Sequence, residues 1–221
     1  EINVIGTLQV LEAARKEGVR KIVVSSSAGI FGELKTIPIN EDHPIEPDSP
    51  YGCTKLCEEK LSLSYSKLYP IEVVCLRYFN VYGPNQRYDA YGNVIPIFVF
   101  KMLREEPLVI FGDGEQTRDF VHVNDVVQAN IKAAETIGVS GAFNIASGTR
   151  VTINSLVKMI TSKNENTVKI DYNPERPGDV KHSLANIELA HNKINYTPLV
   201  ELESGIDEYV EWARNVFADM K

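Results

Sequence analysis

The chain has 221 residues, with 23 Lys and Arg against 30 Asp and Glu, a formal charge of −7. Hydrophobic residues make up 43% and charged residues 24%, the balance of a soluble globular protein long enough to bury a core. No stretch approaches the ~18–20 uninterrupted apolar residues of a membrane span, and the acidic balance argues against a nucleic-acid backbone as the main partner.

The opening Glu1-Ile2-Asn3 has no Met, no basic segment and no apolar run. It is not a signal peptide, and it reads as a start in the middle of a longer pattern. Residues 4–17 place Ile5, Leu8, Leu11 and Ala14 at helical spacing, with Gly18 where a helix ends. KIVVSS (21–26) is a β-branched run expected to form a buried parallel strand. Residues 32–50 hold four prolines and are expected to be a loop. Ser49 can cap, and Pro50 can open, a helix running to about Tyr69. Cys57, Leu61, Tyr65 and Leu68 form its expected apolar stripe. IEVVCL (71–76) is a second buried strand. Helix, strand, loop, helix, strand is the rhythm of a doubly wound α/β sheet.

After Asn80 the texture changes. Helices are expected at 94–104, at 126–137, behind a Thr152 cap with Ile153, Leu156, Val157 and Ile160 as its apolar face, and at about 203–218. Short strands are expected at 108–111 and 120–122 around the turn Gly112-Asp113-Gly114. The expected fold class is therefore α/β. Residues 1–79 form part of a Rossmann-like parallel sheet, and 80–221 form mainly a smaller mixed α/β substrate region with some segments returning to the sheet.

Tyr51 and Lys55, four apart on a helix, share a face. A neighbouring ammonium favours phenolate and makes a tyrosine a usable general base; the plainer reading of the pair is a solvated surface contact. Ser25-Ser26-Ser27 sits at the C-terminal end of a parallel strand, where ligands bind open α/β sheets, although serines are also common loop formers there. Arg118 and Arg176 lie in turn-rich segments that suit phosphate binding; each has an aspartate nearby, Asp119 and Asp179, that offers a local salt bridge instead. Cys53, Cys57 and Cys75 are too few, and odd in number, for a disulfide framework, so a reducing cytoplasmic setting is expected. Cys53 and Cys57 are read as small buried hydrophobes. No metal site is expected, since neither they nor the four histidines have metal-ligand spacing.

Taken in order, NVIGTL (3–8), SSSAGIFG (25–32), YGCTK (51–55), LRYFNVYGP (76–84), GDGEQTRDFVHVND (112–125), FNIASG (143–148) and RPGD (176–179) resemble the extended short-chain dehydrogenase/reductases. Within that superfamily they resemble the nucleotide-sugar epimerase/dehydratase family. The resemblance implies NAD as cofactor and a nucleotide sugar as substrate. It makes Tyr51 the base, Lys55 the ligand of the nicotinamide ribose and Ser27 the residue that orients the sugar hydroxyl. Ser25 and Phe79 join Tyr51 and Lys55 around the cofactor. Asn80, Asn93, Arg118, Arg176, Asp179 and Ser183 join Ser27 around the substrate. Dehydratases of this family place Thr-Asp-Glu where this chain has Ser27-Ala28-Gly29, so the implied reaction is epimerisation at C4 through a transient 4-keto sugar. UDP-glucose and UDP-galactose are the implied pair; a small Ser183 where a bulky residue restricts the pocket would also admit N-acetylated sugars. Another reductase or decarboxylase of the family, or a non-catalytic nucleotide-sugar-binding protein, are the alternatives. The resemblance also implies a homodimer through helices 4–17 and 51–69.

The chain departs from the family in having no G-x-x-G-x-x-G turn. The pattern implies roughly 80–90 further residues ahead of Glu1, on the scale of a βαβαβ half. On that reading the 221 residues alone are expected to bind NAD poorly, to be inactive, and to expose a sheet edge.

Overall fold

A computed structural model describes residues 1–88, 93–164, 167–176 and 180–219. A π-helical turn, Ile2–Gly6, leads into α1 (Thr7–Lys16), followed by β1 (Lys21–Ser27), α2 (Pro50–Leu68) and β2 (Glu72–Tyr78). Then come β3 (Asn80–Tyr82), α3 (Val94–Leu103), β4 (Leu108–Phe111), β5 (Thr117–Arg118), β6 (Phe120–His122) and α4 (Val123–Glu135). The chain finishes with β7 (Gly141–Ile145), β8 (Val151–Thr152), α5 (Ile153–Thr161), β9 (Ile170–Asn173), α6 (Glu188–Ile194) and α7 (Leu202–Asp219). The expected helices and strands are present within a few residues. The short strands β3, β5, β7, β8 and β9 and the helix α6 were not foreseen as elements.

The central sheet is parallel, in the order β1-β2-β7. Its third strand comes from far beyond residue 79, so the sheet draws on both halves of the sequence. Strand alternation sorts the side chains onto two faces. Val74, Leu76, Phe143 and Ile145 pack with Val126, Ala129 and Ala133 of α4 and Ala190 and Ile194 of α6. Val24, Val73 and Cys75 face the other way, against Leu63 of α2. A separate core joins α3, β4, α5 and α7 through Phe98, Phe100, Leu108, Leu156, Ile160 and Tyr209. Thr152 caps α5 as its sequence indicates, its hydroxyl accepting from Ser155 N at 3.1 Å.

Several burial expectations are corrected. Ile5 and Leu8 are exposed, while Leu11 and Ala14 are buried, and Ile5 lies in the π-helical turn ahead of α1. On α2 the buried residues are Gly52, Glu59, Ser62 and Tyr65, and Leu68 points to solvent. A buried carboxylate, rather than an apolar stripe, sets which face of α2 turns inward. Cys53 is exposed and Cys57 half-buried; Cys75 alone is a buried hydrophobe, and burial pushes its thiol pKa up. No helix among the described residues is long and apolar enough to cross a membrane.

Candidate active site

The site is built where α2 meets the C-terminal end of β1. Ser49 caps α2, its hydroxyl accepting from Gly52 N at 3.1 Å, and Pro50 opens the helix, as its missing N–H allows. Gly52 is required here: a β-carbon on it would lie 2.3 Å from the Gly29 carbonyl oxygen. The first turn of α2 is thereby pressed onto the 3₁₀ turn Ala28–Ile30 that follows β1. Ser27 starts that turn, its hydroxyl accepting from Gly29 N at 3.1 Å.

This close approach brings two of the candidate residues together. The Ser27 hydroxyl and the Tyr51 ring lie 3.4 and 3.7 Å from the position a β-carbon on Gly29 would take. Glycine leaves that space open. Tyr51 is 56% exposed, so its ring is presented to an incoming ligand. Lys55, one turn further along α2, reaches the same strand end: its ammonium donates to Ser25 O at 2.5 Å and to Glu58 Oε2 at 2.6 Å. The Ser25 hydroxyl lies 3.3 Å from Tyr78 Oη, which donates to Asn130 Oδ1 at 3.0 Å.

A buried polar layer holds this arrangement. Glu59, on the same face of α2 as Tyr51 and Lys55 at i+8 and i+4, is fully buried. It accepts from Arg77 Nη2 at 2.7 Å, Arg77 Nε at 3.0 Å and the Ser26 hydroxyl at 2.7 Å. Ser26, Arg77 and Asn144 are register neighbours across β1, β2 and β7. All three are buried. Arg77 also donates to Glu41 O at 3.0 Å, and Asn144 N donates to Glu41 Oε1 at 2.8 Å. Burial pushes the Glu41 pKa up. One helix face is thus pinned to β1 and β2, and Glu41 carries the network on to β7.

Beyond Ser27 a cleft is lined by Gly29, Phe79, Asn80, Arg118 and Ser183. Asn80 and Arg118 also border a second hollow with Asn93, Phe98, Phe111 and Arg176. Phe79 is largely buried, with its ring 6.4 Å from that of Phe31. Asn80 Nδ2 donates to Asp119 O at 2.8 Å. Asn93 is used structurally at both ends of its amide: Oδ1 caps α3 by accepting from Ile95 N, and Nδ2 donates to Val81 O at 2.7 Å. The Arg118 guanidinium donates to Thr117 O at 3.0 Å. That of Arg176 stacks over the Phe111 ring, 3.7 Å from its centroid. Asp179 lies outside the described residues.

Asp119 is an organising residue that the sequence reading treated only as a salt-bridge partner. It is fully buried, and its carboxylate accepts from Ser147 N, the Ser147 hydroxyl, Gly148 N and Ala185 N at 2.6–3.2 Å. Burial raises its pKa against those bonds. It joins the loop after β7 to the 183–185 segment, which sets Ser183 and Arg118 on one cleft. Among the described residues no three His, Cys, Asp or Glu side chains group to hold a metal.

The donor set at the head of β1 is an ammonium, the Ser25 and Ser27 hydroxyls and an exposed phenol. It suits a ligand rich in hydroxyls, and the two arginines deeper in the cleft suit an anionic one. The comparisons agree with that chemistry. Residues 1–146 match the NAD dependent epimerase/dehydratase family, and the chain belongs to that family. It is 35% identical over 215 residues to the UDP-glucose 4-epimerase of Mycolicibacterium smegmatis, covering 97% of this chain and 69% of that protein. Among solved structures it is similar to UDP-N-acetylglucosamine 4-epimerase from Methanobrevibacter ruminantium in complex with UDP-N-acetylmuramic acid. The TM-score there is 0.93 at 38% identity, over 97% of this chain and 69% of that one. It is also similar to the UDP-glucose 4-epimerase of Thermotoga maritima with UDP-glucose, at a TM-score of 0.92 and 39% identity over 97% and 70%.

The Glu59–Arg77 pair yields a stability prediction. Glu59→Ala leaves the Arg77 guanidinium buried and uncompensated, and should cost about 3–5 kcal/mol in denaturant unfolding. Replacing both by methionine should recover most of that loss. A cost under about 1 kcal/mol for Glu59→Ala, the range of an exposed pair, would show that the pair does not anchor α2.

Proposed function

We propose that this protein interconverts UDP-sugars at C4, with Tyr51, Lys55 and Ser27 as its catalytic residues. The observation that supports the assignment is that the Ser27 hydroxyl and the Tyr51 ring border the same open space over Gly29, with Lys55 anchored to the same strand end. NAD is the cofactor of the family, and the residues present fit its nicotinamide–ribose end. An ammonium and the Ser25 hydroxyl would suit a ribose diol, and Phe79 would offer an apolar surface to the nicotinamide. When bound, NAD supplies a hydride acceptor that returns the hydride to the same carbon.

The chain's own residues handle the protons and the grip. Tyr51 accepts the proton of the sugar 4-hydroxyl and later gives it back, as general base and then general acid. Lys55 stabilises the phenolate and binds ribose hydroxyls. Ser27 orients the 4-oxygen. Arg118 and Arg176 hold the diphosphate end, with Asn80, Asn93 and Asp179 as further contacts, so that the 4-keto sugar can turn while its nucleotide stays fixed. In this reading residues 1–79, with the strands and helices that return to the sheet, form the cofactor side, and most of 80–221 the sugar side. The protein works in the cytoplasm as a homodimer through helices 4–17 and 51–69, where Ile5, Leu8 and Leu68 leave apolar surface exposed.

In the enzyme that carries this chain, Tyr51→Phe should lower kcat by about 10²–10⁴-fold with sugar affinity retained. Conversion of UDP-glucose to UDP-galactose, followed by NMR, measures it. An unchanged rate would remove Tyr51 from the mechanism. Ser183 is buried at the cleft. Ser183→Tyr should abolish turnover of UDP-N-acetylglucosamine while sparing UDP-glucose; an unaltered preference would show that this position does not set sugar size.

A further inference from the structure

The spacing of Tyr51 and Lys55 suggests that one ammonium serves one phenol, but the structure shows Lys55 already engaged. Its Nζ is 2.6 Å from Glu58 Oε2, and the two side chains are only 12% and 13% exposed. A carboxylate this close, and this sheltered from water, offsets much of the positive charge that Tyr51 would otherwise feel. Glu58 differs in this from its neighbour Glu59, whose two oxygens are occupied by Arg77 and Ser26 on the buried side of the helix.

The other groups the structure gives near the ammonium are the Ser25 carbonyl from β1, the Tyr78 hydroxyl from β2 beside the Ser25 hydroxyl, Asn130 of α4 behind that, and, one turn further along α2, the Glu59 carboxylate, whose charge is already paired with the Arg77 guanidinium. The two bonds shown by Lys55 use two of its three N–H groups.

We propose that Glu58 is a counter-ion that withholds Lys55 from Tyr51, so that the phenol keeps its proton more tightly than the Tyr51–Lys55 spacing alone would allow. Glu58 is a positioning residue: it acts through Lys55 and touches neither sugar nor cofactor. A ligand hydroxyl that takes its place on the ammonium releases that restraint. The inference rests on the reading of Lys55 as the residue that tunes Tyr51.

The test is a pH titration of the enzyme that carries this chain, labelled with [13Cζ]tyrosine, with the Tyr51 resonance assigned through Tyr51→Phe. Glu58→Gln is nearly isosteric and should lower the Tyr51 midpoint by about one pH unit. Glu58→Ala should do the same, and Glu58→Asp, which keeps the charge, should stay nearer the parent. Lys55→Met should raise the midpoint. If Lys55→Met raises it while Glu58→Gln and Glu58→Ala leave it unmoved, the role of Glu58 is overturned and the reading of Lys55 stands. If Lys55→Met itself has no effect, the coupling of Lys55 to Tyr51 fails, and the role of Glu58 with it. A merely structural helix pair would shift the unfolding midpoint and leave the phenol unchanged.

Discussion

Glu59 is a carboxylate on the inward face of α2, closed off from solvent and held by the two-pronged grip of Arg77 and by the Ser26 hydroxyl. A charge in that position is tolerable only when fully paired. The geometry that satisfies it also fixes the rotation and height of α2 over the sheet. Tyr51 and Lys55 stand two turns and one turn upstream on the same face. Their approach to Ser27 and Ser25 therefore follows from where Glu59 is anchored, and the tight contact of Gly52 with the Gly29 carbonyl completes the alignment.

The second half of the site is assembled by strand order rather than by sequence proximity. β7 returns to the sheet beside β2, and Asp119 then ties the loop after β7 to the segment ending at Ala185. Arg118, Ser183 and Asn80 reach the cleft because this buried carboxylate organises the backbone between them. Two buried acids thus divide the work. Glu59 orders the helix that bears Tyr51 and Lys55, and Asp119 orders the walls of the cleft.

Much of this was legible in the residues. KIVVSS and IEVVCL announce buried parallel strands, Ser49-Pro50 a helix start, and Thr152 a cap, because each depends on local chemistry. Helical spacing marks Tyr51 and Lys55, and a strand end marks Ser25–Ser27, as candidates; the choice of Ser27 and the roles of all three come from the family resemblance. What sequence patterning missed depends on partners distant in the chain. A period of 3.6 assigns Leu68 to the core and gives no reason to bury Glu59, whose partners Arg77 and Ser26 lie 18 and 33 residues away. The family resemblance offers Asn93 as a substrate contact; that its amide also caps α3 and bonds Val81 is visible only once β3 and α3 are side by side. Cys53 was read as buried, but the first turn of α2 that bears it lies at the rim of the site.

The central claim is that α2, clocked by its buried ion pair, presents Tyr51 and Ser27 to a single reacting hydroxyl. A crystal structure of the enzyme with NAD and UDP-glucose measures this most directly. The account predicts the sugar 4-oxygen within about 2.6–3.2 Å of both the Tyr51 and Ser27 hydroxyl oxygens, with Lys55 no longer bonded to Glu58. A sugar seated with its 4-oxygen out of hydrogen-bond reach of both residues would contradict it.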